Sequence, residues 1–511
     1  MDGTFWAILP ALIAIFLALL TKEVYSSLFC GIVVGALLAN GFNPVESFNT
    51  IAIKGLSEPV ADLAGISIFL VILGSMVMML NKSGGSQAFG VSVKKKIKSR
   101  IGAGLSTFAL GVLIFIDDYF NCLTVGSVMR SVTDRYRISR AKLSYLIDAT
   151  AAPICMIAPI SSWAAAVSGV ADDMGSGISG IQLFIQAIPY NFYSLLTLVF
   201  ILIITTMDFD YGKMKEAQEK ALAGDLGGED APETEVTDTK GKVIDLILPV
   251  IVLIIICFVA MLYCGGYYGK TPWTGTENMG SIIAAFGNTD AFIALPMGSL
   301  AAFILSMIYF LIRRTIPFRE IMDCIPKGFA AMVPSIMILT LATGLKNITG
   351  SLGAADFVQH LMMGASTGLF NMLPAVIFVV SVALAFATGT SWGTFGLMIP
   401  VVMAAFKVGD PLLIIGISAC LAGAVCGDHC SPISDTTVMS SAGAQIKHID
   451  HVTTQFPYAL SVAAVSFVSF VIAGFVKNWA IGLAAGIILV WLFLGIMRKR
   501  VGGKTPHPEN V

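Results

Sequence analysis

Apolar residues are grouped in long runs separated by polar loops, and this pattern dominates the chain. Eleven of the runs are long enough, or nearly long enough, to cross a bilayer as a helix. They are Phe5–Thr21, Val24–Ala39, Leu63–Leu80, Leu143–Val170, Ile188–Met207, Ile244–Cys264, Ala291–Ile312, Gly328–Leu345, Leu412–Ala444, Tyr458–Phe475 and Ile481–Met497. The pattern predicts an all-α polytopic membrane protein with about 11 transmembrane helices.

Two further apolar stretches, 101–130 and 374–407, are interrupted by polar residues at their centres. The loops on either side of the first stretch, 82–100 and 130–142, hold six and five Lys or Arg residues. Such an excess is typical of the cytoplasmic side of a membrane. A stretch between two cytoplasmic loops has to enter the membrane and return. Residues 101–130 are therefore predicted to form a re-entrant hairpin, and residues 374–407 a second one.

The same topology accounts for the rest of the positive charge. With the N-terminus outside and the C-terminus inside, 26 of the 31 Lys and Arg residues lie on the cytoplasmic side. Residues 208–242 are rich in Asp, Glu, Lys, Gly and Thr, which predicts a flexible cytoplasmic connector between two halves.

The two halves share an order of elements. Each contains a span, a hairpin with a polar tip, and a span interrupted at Pro-Ile-Ser, which stands at 159–161 and again at 432–434. The first span of each half runs in the opposite direction to its counterpart, so the halves are predicted to be inverted repeats with broken helices at the midplane, as in many secondary transporters. The predicted units are 1–54 (N-terminal scaffold spans), 55–207 (first repeat, with hairpin 101–130 and broken helix 143–170), 208–242 (linker), 243–327 (scaffold spans), 328–475 (second repeat, with hairpin 374–407 and broken helix 412–444) and 476–511 (C-terminal span and tail).

Composition agrees with a chain surrounded by membrane lipid. Hydrophobic residues make up 56% of the sequence and charged residues 12%. The net charge of −1 shows no basic footprint for nucleic acid, and no nucleic-acid partner is predicted. No nucleophile–base pair or phosphate-binding loop is recognisable, and the sequence therefore favours a transporter over an enzyme.

Polar residues cluster at the four interruptions, 117–121, 158–163, 388–394 and 427–437, which we expect to converge. Ionisable groups at membrane depth are costly and indicate an ion or substrate path. The predicted ion- or substrate-binding residues are Asp117, Asp118, Asn121, Ser161, Ser162, Thr388, Thr390, Ser391, Thr394, Asp428, His429, Ser431, Ser434, Asp435 and Thr436. Carboxylate and amide oxygens suit a hard cation, and the Na⁺ candidates are Asp118, Asn121, Asp428 and Asp435.

A buried carboxylate that holds either Na⁺ or H⁺, but not both, produces antiport by competition. Na⁺ and H⁺ are then cargo, and no cofactor is predicted. Two roles stay open for His429, a proton relay or a hydrogen bond to a neighbouring helix. Asp148, in the span before Pro153, is balanced between the site and a structural pairing.

The runs Gly-Asp-His-Cys-Ser-Pro-Ile-Ser-Asp-Thr-Thr at 427–437, Phe-Ile-Asp-Asp-Tyr at 115–119 and Thr-Gly-Thr-Ser-Trp-Gly-Thr at 388–394 resemble the NhaC family of Na⁺/H⁺ antiporters, over about residues 55–500. The resemblance implies inverted repeats with re-entrant hairpins, elevator-type alternating access, a homodimer and a place in the bacterial inner membrane. Related families exchange malate for lactate or carry amino acids. The alternative prediction is therefore a Na⁺- or H⁺-coupled transporter of a small organic anion or amino acid.

Overall fold

The computed structural model describes residues 4–501, apart from 22, 86–87, 89–90, 93–96, 117, 173–179, 229–240, 273–274, 276, 288, 354–366 and 433. Over this part of the chain the protein is helical, and its only strand-like pairing is an isolated bridge between Gly228 and Ile446. The all-helical membrane fold predicted from the apolar runs is confirmed.

The helices of the N-terminal half are α1 (Leu9–Thr21), α2 (Val24–Ala39), α3 (Pro44–Thr50), α4 (Glu58–Asp62), α5 (Ala64–Lys82), α6 (Arg100–Leu113), α7 (Asp118–Arg135), α8 (Arg140–Ile157), α9 (Ser162–Asp172), α10 (Gly180–Ala187), α11 (Phe192–Met207) and α12 (Lys213–Leu222). A π-helix joins α3 to α4, and a 3₁₀ turn joins α10 to α11.

The helices of the C-terminal half are α13 (Ile244–Cys264), α14 (Ile282–Gly287), α15 (Ala291–Arg313), α16 (Phe318–Ser351), α17 (Thr367–Thr388), α18 (Ser391–Ala405), α19 (Pro411–Cys430), α20 (Asp435–Ala444), α21 (His448–Val476) and α22 (Trp479–Val501). Helices α16 and α21 begin about ten residues before the apolar runs that predicted them, because their first turns are polar.

Eight helices are long and apolar enough to cross a membrane: α5, α13, α15, α16, α17, α19, α21 and α22. The count among the described residues rises to ten when each of two bent pairs is taken as one span. One pair is α8 with the first turns of α9, bent by 48°, and the other is 180–190 with α11, bent by 45°. Helices α1 and α2 have 13 and 16 residues, so the two N-terminal spans are shorter than the rest.

Both broken spans end where proline removes a backbone donor. Helix α8 stops at Ile157, two residues before Pro159, and α19 stops at Cys430, two residues before Pro432. The far ends of the same helices carry caps. Ser139 Oγ accepts from the backbone of Lys142 at 3.1 Å, and the Asp410 carboxylate accepts from the backbone of Leu412 at 2.9 Å.

The predicted hairpins correspond to helix pairs of unequal length. Helices α6 and α7 lie on either side of the non-helical residues 114–116, and α17 and α18 flank the turn at 389–390. Gly389 adopts a positive φ of 67° there, a conformation that favours glycine. Helix α17 has 22 residues and is long enough to cross by itself, because Pro374 lies inside the helix rather than at its start.

The order of elements recurs at a spacing of 273 residues. Helix α7 begins at Asp118 and α18 at Ser391, while α9 begins at Ser162 and α20 at Asp435. The cross-contacts are reciprocal, since α20 packs on α7 and α9 packs on α18. A Cβ placed on Gly126 of α7 would lie 2.5 Å from the backbone of Gly443 on α20, so the two halves meet backbone to backbone. The inversion of one half relative to the other stays a prediction.

The linker is more ordered at its start than its composition predicts. Residues 213–222 form α12, and the buried Gln218 side chain binds the Ser139 amide and the Arg137 carbonyl, at 3.0 and 2.7 Å. The expectation of a flexible connector is therefore wrong for α12, because the hydrogen bonds of Gln218 and the burial of Met214 and Ala221 fix a segment that is mostly polar in sequence. Residues 229–240 lie outside the described part.

Candidate functional site

The second break supplies the centre of the site. Asp428 lies in the last turn of α19 and is 4% exposed. Its Oδ2 accepts hydrogen bonds from Ser391 Oγ at 2.9 Å and from Thr436 Oγ1 at 3.4 Å. Ser434 Oγ lies 3.1 Å from Thr436 Oγ1 and also caps α20 by accepting from the Thr437 backbone at 3.4 Å. One carboxylate and three hydroxyls thus come together from the hairpin tip and both sides of the break.

The first hairpin presents its own buried carboxylate. Asp118 opens α7, is 1% exposed, and its Oδ2 accepts from Trp163 Nε1 of α9 at 3.1 Å. The Ser162 backbone N–H donates to the Ile116 carbonyl at 2.9 Å. These two bonds hold the tip of the first hairpin against the first break.

Asn121 ties the two arms of that hairpin together. Its Nδ2 donates to the carbonyls of Gly111 and Ile114 at 2.7 and 2.9 Å, satisfying acceptors at the end of α6 that would otherwise be orphaned. Its Oδ1 is buried and has no hydrogen-bond partner among the described residues. The amide therefore serves the fold through its nitrogen and leaves one oxygen available to a ligand.

The four interrupted segments form a closed circuit of contacts. Asp118 binds Trp163, whose ring centroid lies 5.8 Å from that of Trp392 at the second hairpin tip. Ser391, next to Trp392, binds Asp428, and Cys122 Sγ lies 3.8 Å from the Thr436 carbonyl oxygen. The hairpin tips and breaks of both halves are therefore in contact with one another.

Comparison with known proteins identifies the family. The Na⁺/H⁺ antiporter family matches residues 157–475, more than half of the chain. The chain belongs to that family. This antiporter is 37% identical to an uncharacterised protein of Haemophilus influenzae, over 98% of its own length and 96% of the relative.

Two further proteins place the antiporter more broadly. It is 27% identical to the malate-2H⁺/Na⁺-lactate antiporter of Bacillus subtilis, over 39% of its own length and 42% of the relative. The crystal structure of the YdaH transporter of Alcanivorax borkumensis matches the fold with a TM-score of 0.53 and 14% identity, over 88% of this chain and 89% of that one. The family match and the apolar helices make this chain a multi-pass secondary transporter rather than an enzyme.

Several predicted site residues of the antiporter use their side chains locally. Ser161 Oγ donates to the Cys155 carbonyl and accepts from the Ala164 amide, which caps α9. Thr388 and Thr394 donate to the carbonyls four residues earlier in the chain, and Thr390 caps α18 by accepting from Gly393. These hydroxyls build the breaks and tips, and their oxygens retain acceptor capacity.

The remaining predicted residues are placed as follows. Ser431 is buried between α19 and α20, and Ser162 is buried with an Oγ that has no partner among the described residues. Asp117 lies outside the described residues. Asp435 is the first residue of α20, and its side chain also lies outside them. Over the part of the chain that is described, no group of three His, Cys, Asp or Glu side chains is arranged to hold a metal ion.

His429 and Asp148 belong to a second buried cluster, termed the histidine cluster, which consists of Asp148, Tyr193, His429, Thr437, His451 and Gln455. The Tyr193 hydroxyl lies 3.2 Å from His429 Nδ1. Asp148, left open between two roles, contacts His451 and Gln455 of α21. His451 and Gln455 were not predicted, because the apolar run that predicted this span begins at Tyr458 and left both residues in a loop.

Proposed function

We propose that the protein exchanges Na⁺ for H⁺ across the bacterial inner membrane by alternating access of the elevator type. The supporting observation is the buried Asp428 carboxylate, which Ser391 and Thr436 contact from two other segments. A buried carboxylate with surrounding hydroxyl oxygens matches the preference of a hard cation for oxygen ligands.

The cation site that we propose consists of Asp428, Ser391 and Thr436, with Asp118, the Asn121 Oδ1 atom and Asp435 as further oxygen donors. Residues of both halves contribute, as expected for a transporter whose discontinuous helices meet near the midplane. A dry surrounding strengthens the attraction between the carboxylate and a cation. Na⁺ and H⁺ are cargo, and the protein needs no resident cofactor.

The direct test is proton movement in proteoliposomes that contain an internal pH dye. We expect external Na⁺ or Li⁺ alone to drive a pH change in the wild type, and Asp428→Asn to reduce its rate at least tenfold. The Asn variant keeps the shape of the side chain but removes the charge. An unchanged rate in folded Asp428→Asn protein would place the cation elsewhere.

A second function is favoured by the relative in Bacillus subtilis, whose name joins an organic-anion exchange to Na⁺ and H⁺. The hydroxyls of the second hairpin tip suit a carboxylate as well as an ion. The same proteoliposomes distinguish the two functions. If the pH change appears only after malate, lactate or an amino acid is added, the protein is a coupled exchanger of that solute.

We further propose that the protein is a homodimer, as its family resemblance implies. The measurement is the mass of the particle in lipid nanodiscs. A mass corresponding to one copy across the working concentration range would contradict the proposal.

A further inference from the structure

The histidine cluster is built around one oxygen of Asp148. This residue lies in α8 and is fully buried. Its Oδ2 accepts from Gln455 Nε2 at 2.7 Å, from His451 Nε2 at 3.2 Å and from Thr437 Oγ1 at 3.2 Å. Three donors on a single oxygen stabilise the ionised carboxylate and fix its orientation.

Asp148 and His451 form a pair, and each has one further polar side-chain atom. Asp148 Oδ1 and His451 Nδ1 are both buried, and neither makes a hydrogen bond to any described residue. A buried acceptor without a donor costs free energy, because it has lost the hydrogen bonds that water would otherwise supply. The carboxylate oxygen and the imidazole nitrogen are both atoms that can bind a proton, so the pair has room for one.

The pair is separate from the Asp428 carboxylate but is connected to it. Thr437 Oγ1, which donates to Asp148, also lies 3.5 Å from the Asp428 carbonyl oxygen. The Gln455 amide donates to Asp148 and to the His429 carbonyl, both at 2.7 Å. The hydroxyl of Thr437 has one proton and can serve only one of these two acceptors fully, so a shift of the backbone at Asp428 alters the bonding at the Asp148 carboxylate.

The titratable groups facing Asp148 come from the helices packed around it. Helix α21 supplies His451, α19 supplies His429, and Tyr193 of α11 reaches the far side of the His429 ring. Helix α20 contributes the neutral Thr437. The cluster therefore contains one acid, two imidazoles and one phenol.

We propose that Asp148 and His451 hold the proton that is exchanged for Na⁺, while Thr437 and Gln455 couple this proton site to the cation site at Asp428. The inference rests on the proposed Na⁺/H⁺ exchange and adds a separate location for the proton. In the exchange cycle one proton passes from water to the pair when the cation site is empty. It returns to water on the other side of the membrane when Na⁺ occupies that site.

The test separates movement of Na⁺ from movement of H⁺. In proteoliposomes, exchange of radioactive Na⁺ against unlabelled Na⁺ requires only the cation site, whereas a Na⁺-driven pH change requires both sites. We expect His451→Gln and Asp148→Asn to retain Na⁺/Na⁺ exchange within about threefold and to lose at least nine-tenths of the pH change. The pH dependence of Na⁺ uptake should flatten in both variants.

Two controls mark the limits of the experiment. Asp428→Asn should lose both activities, because it removes the cation site. Ser466→Ala should keep both, since the buried Ser466 hydroxyl of α21 donates to the Val462 carbonyl of its own helix and to no other described residue. His451→Gln retains an N–H donor toward Asp148, and it carries the test if Asp148→Asn does not fold.

The outcomes distinguish this inference from the proposed function. If the wild type shows no Na⁺-driven pH change, the proposed Na⁺/H⁺ exchange is contradicted, and so is the proton site that rests on it. An active wild type whose His451→Gln variant keeps a normal pH change and pH profile contradicts the proton site alone. A folded His451→Gln protein that loses Na⁺/Na⁺ exchange and pH change together also overturns it, because the pair would then belong to the cation site.

Discussion

At the scale of single residues, the environment of Asp428 explains how a carboxylate is kept at membrane depth. Removing an ionised group from water is costly, and hydrogen bonds to the charged form offset part of that cost. Ser391 and Thr436 provide such bonds from two other segments. A carboxylate held in this way is poised for a cation, since the hydroxyl oxygens can turn their lone pairs toward the ion.

Ser391→Ala tests this arrangement. The variant removes the shorter of the two hydrogen bonds to Asp428, at 2.9 Å, so we expect the Na⁺ concentration for half-maximal transport to rise about tenfold, which equals about 1.4 kcal/mol. The matched control is Ser418→Ala, which removes a buried hydroxyl of α19 that binds the Ala187 carbonyl instead. Equal effects of the two substitutions would show that the loss is one of general packing.

The clustering of polar side chains at the breaks could be predicted from sequence, because such residues are rare in apolar runs. Asp428, Ser391 and Thr436 were all predicted from sequence to share a site, and the structure brings their side chains together. The local roles of Ser161, Thr388 and Thr394 were not predictable, because a hydroxyl serves a ligand or its own backbone equally well. His451 and Gln455 were not predicted because they precede the apolar run that begins at Tyr458, although both are buried in the structure.

At the scale of elements, close approach of helices depends on a few glycines. A Cβ on Gly427 of α19 would lie 2.3 Å from the Val382 carbonyl oxygen of α17, and one on Gly423 would lie 2.5 Å from the Phe378 carbonyl oxygen. Small residues four positions apart allow membrane helices to pack backbone to backbone. This contact holds the first arm of the second hairpin against the helix that carries Asp428.

Gly427→Ala should therefore lower the unfolding temperature in detergent. Forcing a methyl group into a close contact costs about 1–3 kcal/mol. Gly495→Ala in α22 is the matched control, because a Cβ there meets no atom within 4 Å. Replacing that glycine should be neutral or stabilising by about 0.5–1 kcal/mol. A Gly427→Ala protein that unfolds at the wild-type temperature would contradict the packing argument.

The elements themselves were largely predictable, and their ends were not. The apolar run at 244–264 coincides with α13, and both Pro-Ile-Ser positions lie between helices as predicted. Apolar periodicity cannot detect a polar first turn, and for that reason the starts of α16 and α21 were placed too late. Helix α12 was missed because the sequence does not show that the side chain of Gln218 is buried. Among the described residues of this helix, Gln218 is the buried polar side chain whose hydrogen bonds hold the helix in place.

At the scale of the whole molecule, the orientation in the membrane follows from the distribution of Lys and Arg and stays a prediction. Cysteines introduced one at a time report this orientation through chemical labelling, provided that the natural exposed thiol is first removed. Cys30 is the one exposed cysteine of the nine, so Cys30→Ala provides the background. Glu219 of α12 and Lys407 after α18 are both exposed in the structure.

We expect Glu219→Cys to react with an impermeant maleimide only after the membrane is opened, and Lys407→Cys to react in intact cells. The positive-inside bias places the first position in the cytoplasm and the second outside. Total labelling in opened membranes controls for access. The reverse pattern would invert the topology, and labelling of both positions from one side would contradict the second hairpin.

The backbone contact between Gly126 and Gly443 has a consequence for biosynthesis. Helix α7 is complete once residue 135 has been made, but its partner α20 ends at residue 444. At about 5–20 residues per second, ribosomes need roughly 15 to 60 s for the intervening 300 or so residues. During that interval the face of α7 at Gly126 has lipid or an insertion factor against it in place of α20, so the second half must displace that occupant before the two backbones can meet.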